Sequence, residues 1–74
     1  MSEVKTTKRE IKLGKQIKKY RRLAGLTQEQ LADRVRVSTT HIGLVETGKR
    51  RISLKTLQKI ASTLEVKVNE ILPY

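Results

Sequence analysis

The chain has no cysteine, no tryptophan, no phenylalanine and a single proline. Without cysteine, neither a disulfide framework nor a thiolate zinc site can staple the fold. The 74 residues must therefore be held by a hydrophobic core alone, and a domain of that size is marginally stable even when well packed. The only aromatic side chains are Tyr20 and Tyr74, which counts against binders of single-stranded nucleic acid, since those stack bases on aromatic rings. No apolar run approaches the ~20 residues of a membrane span, and no signal-peptide pattern opens the chain. These absences lead to the expectation of a cytoplasmic protein with no membrane role. The length predicts one domain over residues 1–74, with no room for a small-molecule effector domain. Acidic residues are scarce too: seven against seventeen Lys and Arg, for a net charge of +10. A polyanion is the first partner to consider.

The charge is unevenly spread. Residues 1–25 hold nine bases against two acids, residues 26–48 two against three, and residues 49–74 six against two. A nearly neutral middle is thus flanked by two basic blocks, one containing the run Lys49-Arg50-Arg51. A lysine-rich helix face can be merely solvated, but a solubilising surface normally mixes both signs. An anionic lipid surface is another possible partner, although residues 8–24 lack the Trp or Phe that lipid-binding helices bury. Double-stranded nucleic acid is favoured.

The apolar pattern predicts an all-α fold, a compact bundle of about five short helices. In the first, Ile11 (or Leu13), Ile17, Tyr20 and Ala24 recur at three- and four-residue spacing, and Gly25 is a stop. Residues 1–8 read as a flexible basic arm before it. Thr27 and Gln30 make a capping box for the second helix, with Leu31, Ala32 and Val35 inward. Ser38 caps the third, whose inward residues are Ile42 and Val45, and Gly48 ends it. Ser53 caps the fourth, with Leu54, Leu57, Ile60, Ala61 and Leu64 inward. A last turn holds Ile71 and Leu72 before Pro73.

The spacing of Leu31, Ala32, Val35, Val37, Ile42 and Val45 suits two helices crossing steeply through a short turn, although any helical hairpin could share it. The third helix narrows the choice. With Ile42 and Val45 inward, Thr40, Gly43, Leu44 and Thr47 face outward, and Thr39 and His41 lie on the flanks. That outward face carries no formal charge in a chain of net charge +10. A helix lying in a major groove needs short hydroxyls for base edges and small apolar groups for thymine methyls, with cations kept for the phosphates on either side.

The stretches Leu26-Thr27-Gln28-Glu29-Gln30-Leu31-Ala32, Val37-Ser38, Ile42, Val45-Glu46-x-Gly48-Lys49-Arg50, Ser53-Leu54-x-Thr56-Leu57-x-Lys59-Ile60-Ala61 and Leu64 resemble the phage-repressor/Cro (XRE-type) helix-turn-helix family. The segment from Ile42 to Gly48, with its basic pair and the following Ile-Ser-Leu, looks most like the small controller proteins of restriction–modification systems. The resemblance implies a lambda-repressor-like domain and a role for each matching position. Thr39, Thr40 and Leu44 fall at base-contacting positions, with Gly43 beside them. Gln28 falls where the family holds a phosphate and braces a recognition-helix side chain. Lys49, Arg50 and Arg51 fall where it grips phosphate after that helix, and Ser38 and His41 are further candidates for phosphate contact. Arg21 and Glu46 match a family pair that joins the first and third helices by a partly buried ion bridge.

The chain departs from the family pattern in places. Arg36 stands where a turn glycine is usual, and a left-handed conformation there costs of order 1 kcal/mol. Gly43 costs about 1 kcal/mol of helix propensity relative to alanine, which suggests a close approach to DNA or to another helix. Leu44 replaces a commoner Arg or Gln, and Thr47 and Ile52 replace the usual Asn and Pro. His41, the one histidine, has no cysteine or carboxylate at ligand spacing, so it contacts phosphate or packs. No metal or other cofactor is expected. Nothing converges on a nucleophile, base and oxyanion hole, and no glycine-rich phosphate loop occurs; no enzymatic activity is expected.

Val66, Val68, Ile71, Leu72 and Tyr74 either complete the core or form a self-complementary dimer surface, which the family often builds from its last helix. The resulting expectation is a sequence-specific regulator of transcription, a homodimer on double-stranded DNA with its third helix in the major groove. The competing reading is a protein-interaction module or antitoxin that uses the same fold and binds DNA weakly.

Overall fold

A computed structural model of the chain describes residues 7–73. Five helices follow one another: α1 Lys8–Leu23, α2 Gln28–Val35, α3 Thr39–Glu46, α4 Leu54–Leu64 and α5 Val68–Ile71. No strand occurs among the described residues. Short polar caps start the first four helices. Thr27 Oγ1 accepts from the Gln30 amide at 3.0 Å while Gln30 Oε1 accepts from the Thr27 N–H at 2.8 Å. Ser38 and Ser53 each accept one amide bond, from His41 and Thr56.

Thr7 and Glu10 form a further reciprocal cap at the head of α1, and the motif T-x-x-E was there to be read in the sequence. The arm anticipated over residues 1–8 therefore does not include Thr7 and Lys8. Thr7 caps α1 and Lys8 is its first helical residue, while residues 1–6 lie outside the described residues. The Thr7 hydroxyl at 2.7 Å and its amide at 3.0 Å both donate to the Glu10 carboxylate. These two bonds, the hydroxyl's first, hold the Glu10 carboxyl below its ordinary 4.5. A depressed folded value means that the cap's contribution is complete above the unfolded value and is lost as pH falls through the folded one. The protection factor of the Thr7 amide should therefore drop as the solution is acidified below 4.5. Hydrogen exchange followed by NMR reads this directly, and protection unchanged by acid would remove the cap.

The helix ends are sealed by left-handed residues. Gly25 (φ 74°) and Gly48 (φ 77°) follow α1 and α3, and the Leu26 and Lys49 amides reach back to the Arg21 and Leu44 carbonyls at 3.1 and 2.8 Å. Arg36 adopts φ 62° after α2, so the turn keeps its left-handed residue without glycine. Glu65 does the same after α4 at φ 58°, which no glycine signalled.

Leu13, Ile17, Leu31, Ala32, Val35, Ile42, Val45, Leu57, Ile60, Ala61, Leu64 and Ile71 form one core. α3 packs against α1 and α2, α4 against α2 and α1, and α5 closes the bundle against α1 and α4. Three of the positions expected inward are exposed. On α1 the inward line is Leu13, Gly14, Ile17 and Arg21, while Ile11 and Ala24 turn outward. The phase is set by Gly14: a Cβ there would lie 2.3 Å from the Val45 carbonyl oxygen, so α1 must present its one bare position to α3. Leu54 is 63% exposed, because α4 begins beyond the edge of the core and its buried stripe starts one turn later at Leu57. No helix among the described residues is long and apolar enough to cross a membrane.

Candidate nucleic-acid interface

α3 is held by the core on one side and is open on the other. Ile42 and Val45 are buried, Thr39, Thr40 and Thr47 are exposed, and Gly43 and Leu44 are half-buried. The Thr47 hydroxyl donates back to the Gly43 and Leu44 carbonyls at 3.2 and 3.1 Å. It therefore seals the helix end in place of the family's usual Asn. Ile52 packs partly against the core, which anchors the loop where proline is common.

The end of α3 is tied to its neighbours by one polar network. Arg21 on α1 donates to Glu46 through Nε (2.6 Å to Oε2) and Nη2 (3.1 Å to Oε1). Its Nη1 donates to the Leu26 carbonyl at 2.7 Å. Gln28, the first residue of α2, adds a bond from Nε2 to Glu46 Oε1 at 2.9 Å. Both Arg21 and Glu46 are buried. A carboxylate is unfavourable at a helix C-terminus, and the bidentate guanidinium offsets that charge. The bridge fixes the last turn of α3 against α1 and the head of α2. Gln28 thus braces Glu46, at the end of the helix, with its amide lying over Gly43.

The glycines of this region differ in kind. A Cβ on Gly48 would come within 2.8 Å of Ile11, and one on Gly14 would strike backbone, whereas one on Gly43 would meet only the Gln28 amide at 3.7 Å. Intramolecular packing accounts for the first two and gives no reason for the third. Sequence reasoning passed over Gly14 altogether; a glycine in mid-helix, where it costs about 1 kcal/mol, was the available signal.

Lys49, Arg50 and Arg51 are exposed in the loop after α3, and Arg51 Nε lies 3.6 Å from Glu10 Oε2. That pair is exposed and weak, so Arg51 keeps its freedom to turn. Ser38 Oγ accepts the His41 amide and retains its own O–H to donate. Of the two roles expected for His41, phosphate contact and packing, its surroundings favour packing. Its Nε2 is buried without a hydrogen-bond partner among the described residues, since the flank of an eight-residue helix packed on two others is partly covered. Among the expected dimer residues, Ile71 is fully buried. α5 folds back on α1 and α4 and drives this side chain into the core, so Ile71 belongs to the monomer. Val66, Val68 and Leu72 are partly buried against the core, and Tyr74 lies outside the described residues.

A small helical bundle with an uncharged open helix, a left-handed turn before it and a basic loop behind it defines the helix-turn-helix class. The helix-turn-helix family model matches residues 17–71, and the chain belongs to that family. It is 37% identical over 60 residues, covering 81% of this chain and 71% of the other, to the control protein C.SmaI of Serratia marcescens. Among solved structures it resembles the restriction–modification controller protein C.AhdI of Aeromonas hydrophila, with a TM-score of 0.79, 33% identity, and 82% and 92% of the two chains covered. It also resembles the biofilm master regulator SinR in complex with DNA, with a TM-score of 0.76, 28% identity, and 81% and 97% covered.

Proposed function

We propose that this helix-turn-helix transcriptional regulator binds double-stranded DNA as a homodimer, with α3 lying in the major groove. The observation that carries the reading is the open face of α3. It is uncharged, and it includes a glycine whose bareness no contact among the described residues requires. Thr39, Thr40 and Leu44 meet base edges, with Gly43 allowing close approach. Lys49, Arg50 and Arg51 hold the phosphates from the loop, and Gln28 and Ser38 hold them from the helix heads. The partly covered Val66, Val68 and Leu72 supply the self-complementary surface that places a second α3 on the other half-site, about 34 Å away. The likeness to C.SmaI and C.AhdI supports a controller role of the same kind.

Gly43→Ala tests the reading face. Alanine is the better helix former and fits the open space, so the variant should be more stable by about 1 kcal/mol. Its affinity for a site selected from a random DNA pool should nonetheless fall. Calorimetry and fluorescence anisotropy read the two effects separately, and a stabilised variant with undiminished affinity would overturn the assignment of this face. Lys49→Ala should instead weaken all sequences alike. If the dimer neutralises 6–10 phosphates, binding should fall by about 10³–10⁵ between 50 and 200 mM salt.

A further inference from the structure

α3 and α4 both pack on α2 and hardly touch each other. The outward face of α4 is therefore set apart from the open face of α3 by the width of a helix, about 10 Å. A groove of about 450 Å³ runs between the end of α2 and α4. Arg34, Arg36, Lys55 and Lys59 line it together with Gln58, Ser62 and Thr63. All four cations are exposed, and none forms an ion pair among the described residues. Among the described residues that line the groove there is no carboxylate and no aromatic ring. Arg36 reaches it from a left-handed backbone, φ 62°, which glycine would adopt with less strain.

We propose that this groove binds the sugar–phosphate backbone of a second DNA segment while α3 holds the first, so that the protein bridges two stretches of duplex. The proposal rests on the reading of α3 as the DNA-binding helix. Lys, Arg, Ser and Gln are the side chains that make phosphate contacts. Lys55 and Lys59 stand one turn apart, about 6 Å along α4, on the face opposite Leu57, Ile60, Ala61 and Leu64. A small nucleotide would need a ring to stack on and a concave, largely apolar site that encloses it, and this groove is open and charged. An acidic protein segment would need an apolar anchor, and no large apolar side chain lines the groove. Because α2 stands between α3 and α4, the backbone bound here belongs to another segment.

A two-duplex capture assay tests this. A duplex about 30 base pairs long is fixed to beads and saturated with the full chain, and a labelled second duplex is then added. The labelled duplex should be retained. The Lys55→Ala/Lys59→Ala variant should retain about tenfold less of it, with the dependence of log retention on log salt shallower by about 2. Its affinity for the fixed duplex should stay within about twofold, because those contacts come from α3 and its loop. Equal retention by variant and parent, or no retention by the parent, would overturn the proposal. Capture of a polyglutamate peptide by the parent but not by the variant, with the second duplex ignored, would give the groove to an acidic protein and overturn it as well. Failure of the parent to hold even the fixed duplex would instead bring down the α3 reading, and this proposal with it.

Discussion

Replacing Arg21 with alanine while Glu46 remains should cost about 3–5 kcal/mol, the penalty of leaving one charge of a buried pair without its partner. A 74-residue domain has only about 4–11 kcal/mol to lose, so the variant should sit close to unfolding. At roughly 4–8 °C per kcal/mol for a domain of this size, its melting temperature should fall by about 12–40 °C. The reason is local. Glu46 is 4% exposed, and without Arg21 its two oxygens keep only the Gln28 amide. The Leu26 carbonyl loses its donor at the same time. Changing both partners together, Arg21→Met with Glu46→Leu, removes the charge instead of orphaning it and should cost clearly less than Arg21→Ala. Urea titrations of the two variants decide the matter. If the double variant proves the less stable, the pair is not the source of the stabilisation. The double variant should also bind DNA more weakly than its stability accounts for, because Gln28 loses the anchor that holds it over Gly43.

Much of this arrangement was written locally in the chain. Thr27 with Gln30, Ser38, Ser53, Gly25 and Gly48 each act within four residues of themselves, so their caps and stops could be read without knowing the fold. The inward stripe from Leu31 to Val45 was equally legible, since two short helices joined by a fixed turn leave little freedom of phase. α1 was different. With Ile11 and Leu13 both present, the sixteen-residue helix admits two apolar stripes, and the choice rests on a backbone-to-backbone approach at Gly14 that periodicity does not record. Leu54 was misplaced, and Ile71 was left open between core and dimer surface, for a related reason: whether the first or last apolar residue of a helix is covered depends on where the neighbouring helices end. The groove of Arg34, Arg36, Lys55 and Lys59 joins residues about twenty positions apart, and only the packing of α4 on α2 brings them together.

The same contact that was invisible in the sequence carries the second large effect. Gly14→Ala should destabilise the protein, although alanine gains about 1 kcal/mol of helix propensity over glycine. The added carbon would stand 2.3 Å from the Val45 oxygen and 2.6 Å from that of Glu46. Both are backbone atoms, so no side-chain rotation relieves the clash. α1 and α3 must separate by about 1 Å to restore ordinary contact. Forcing extra volume into a packed interface costs about 1–3 kcal/mol and sometimes more, and here the displacement also pulls Glu46 away from Arg21, whose bond to it is short. The clash and the strained ion pair together outweigh the propensity gain, for a net loss of up to about 2 kcal/mol. Moving α3 relative to Gln28 and the Lys49 loop should lower DNA affinity too, since base and phosphate contacts must be made in one register. The one-methyl change thus has opposite signs at two glycines: stabilising at Gly43, where the space is open, and destabilising at Gly14, where backbone fills it. Thermal unfolding of the two variants side by side makes the comparison. A Gly14→Ala variant as stable as the parent would mean that α1 and α3 do not meet at this distance, and the placement of the reading helix would have to be redrawn.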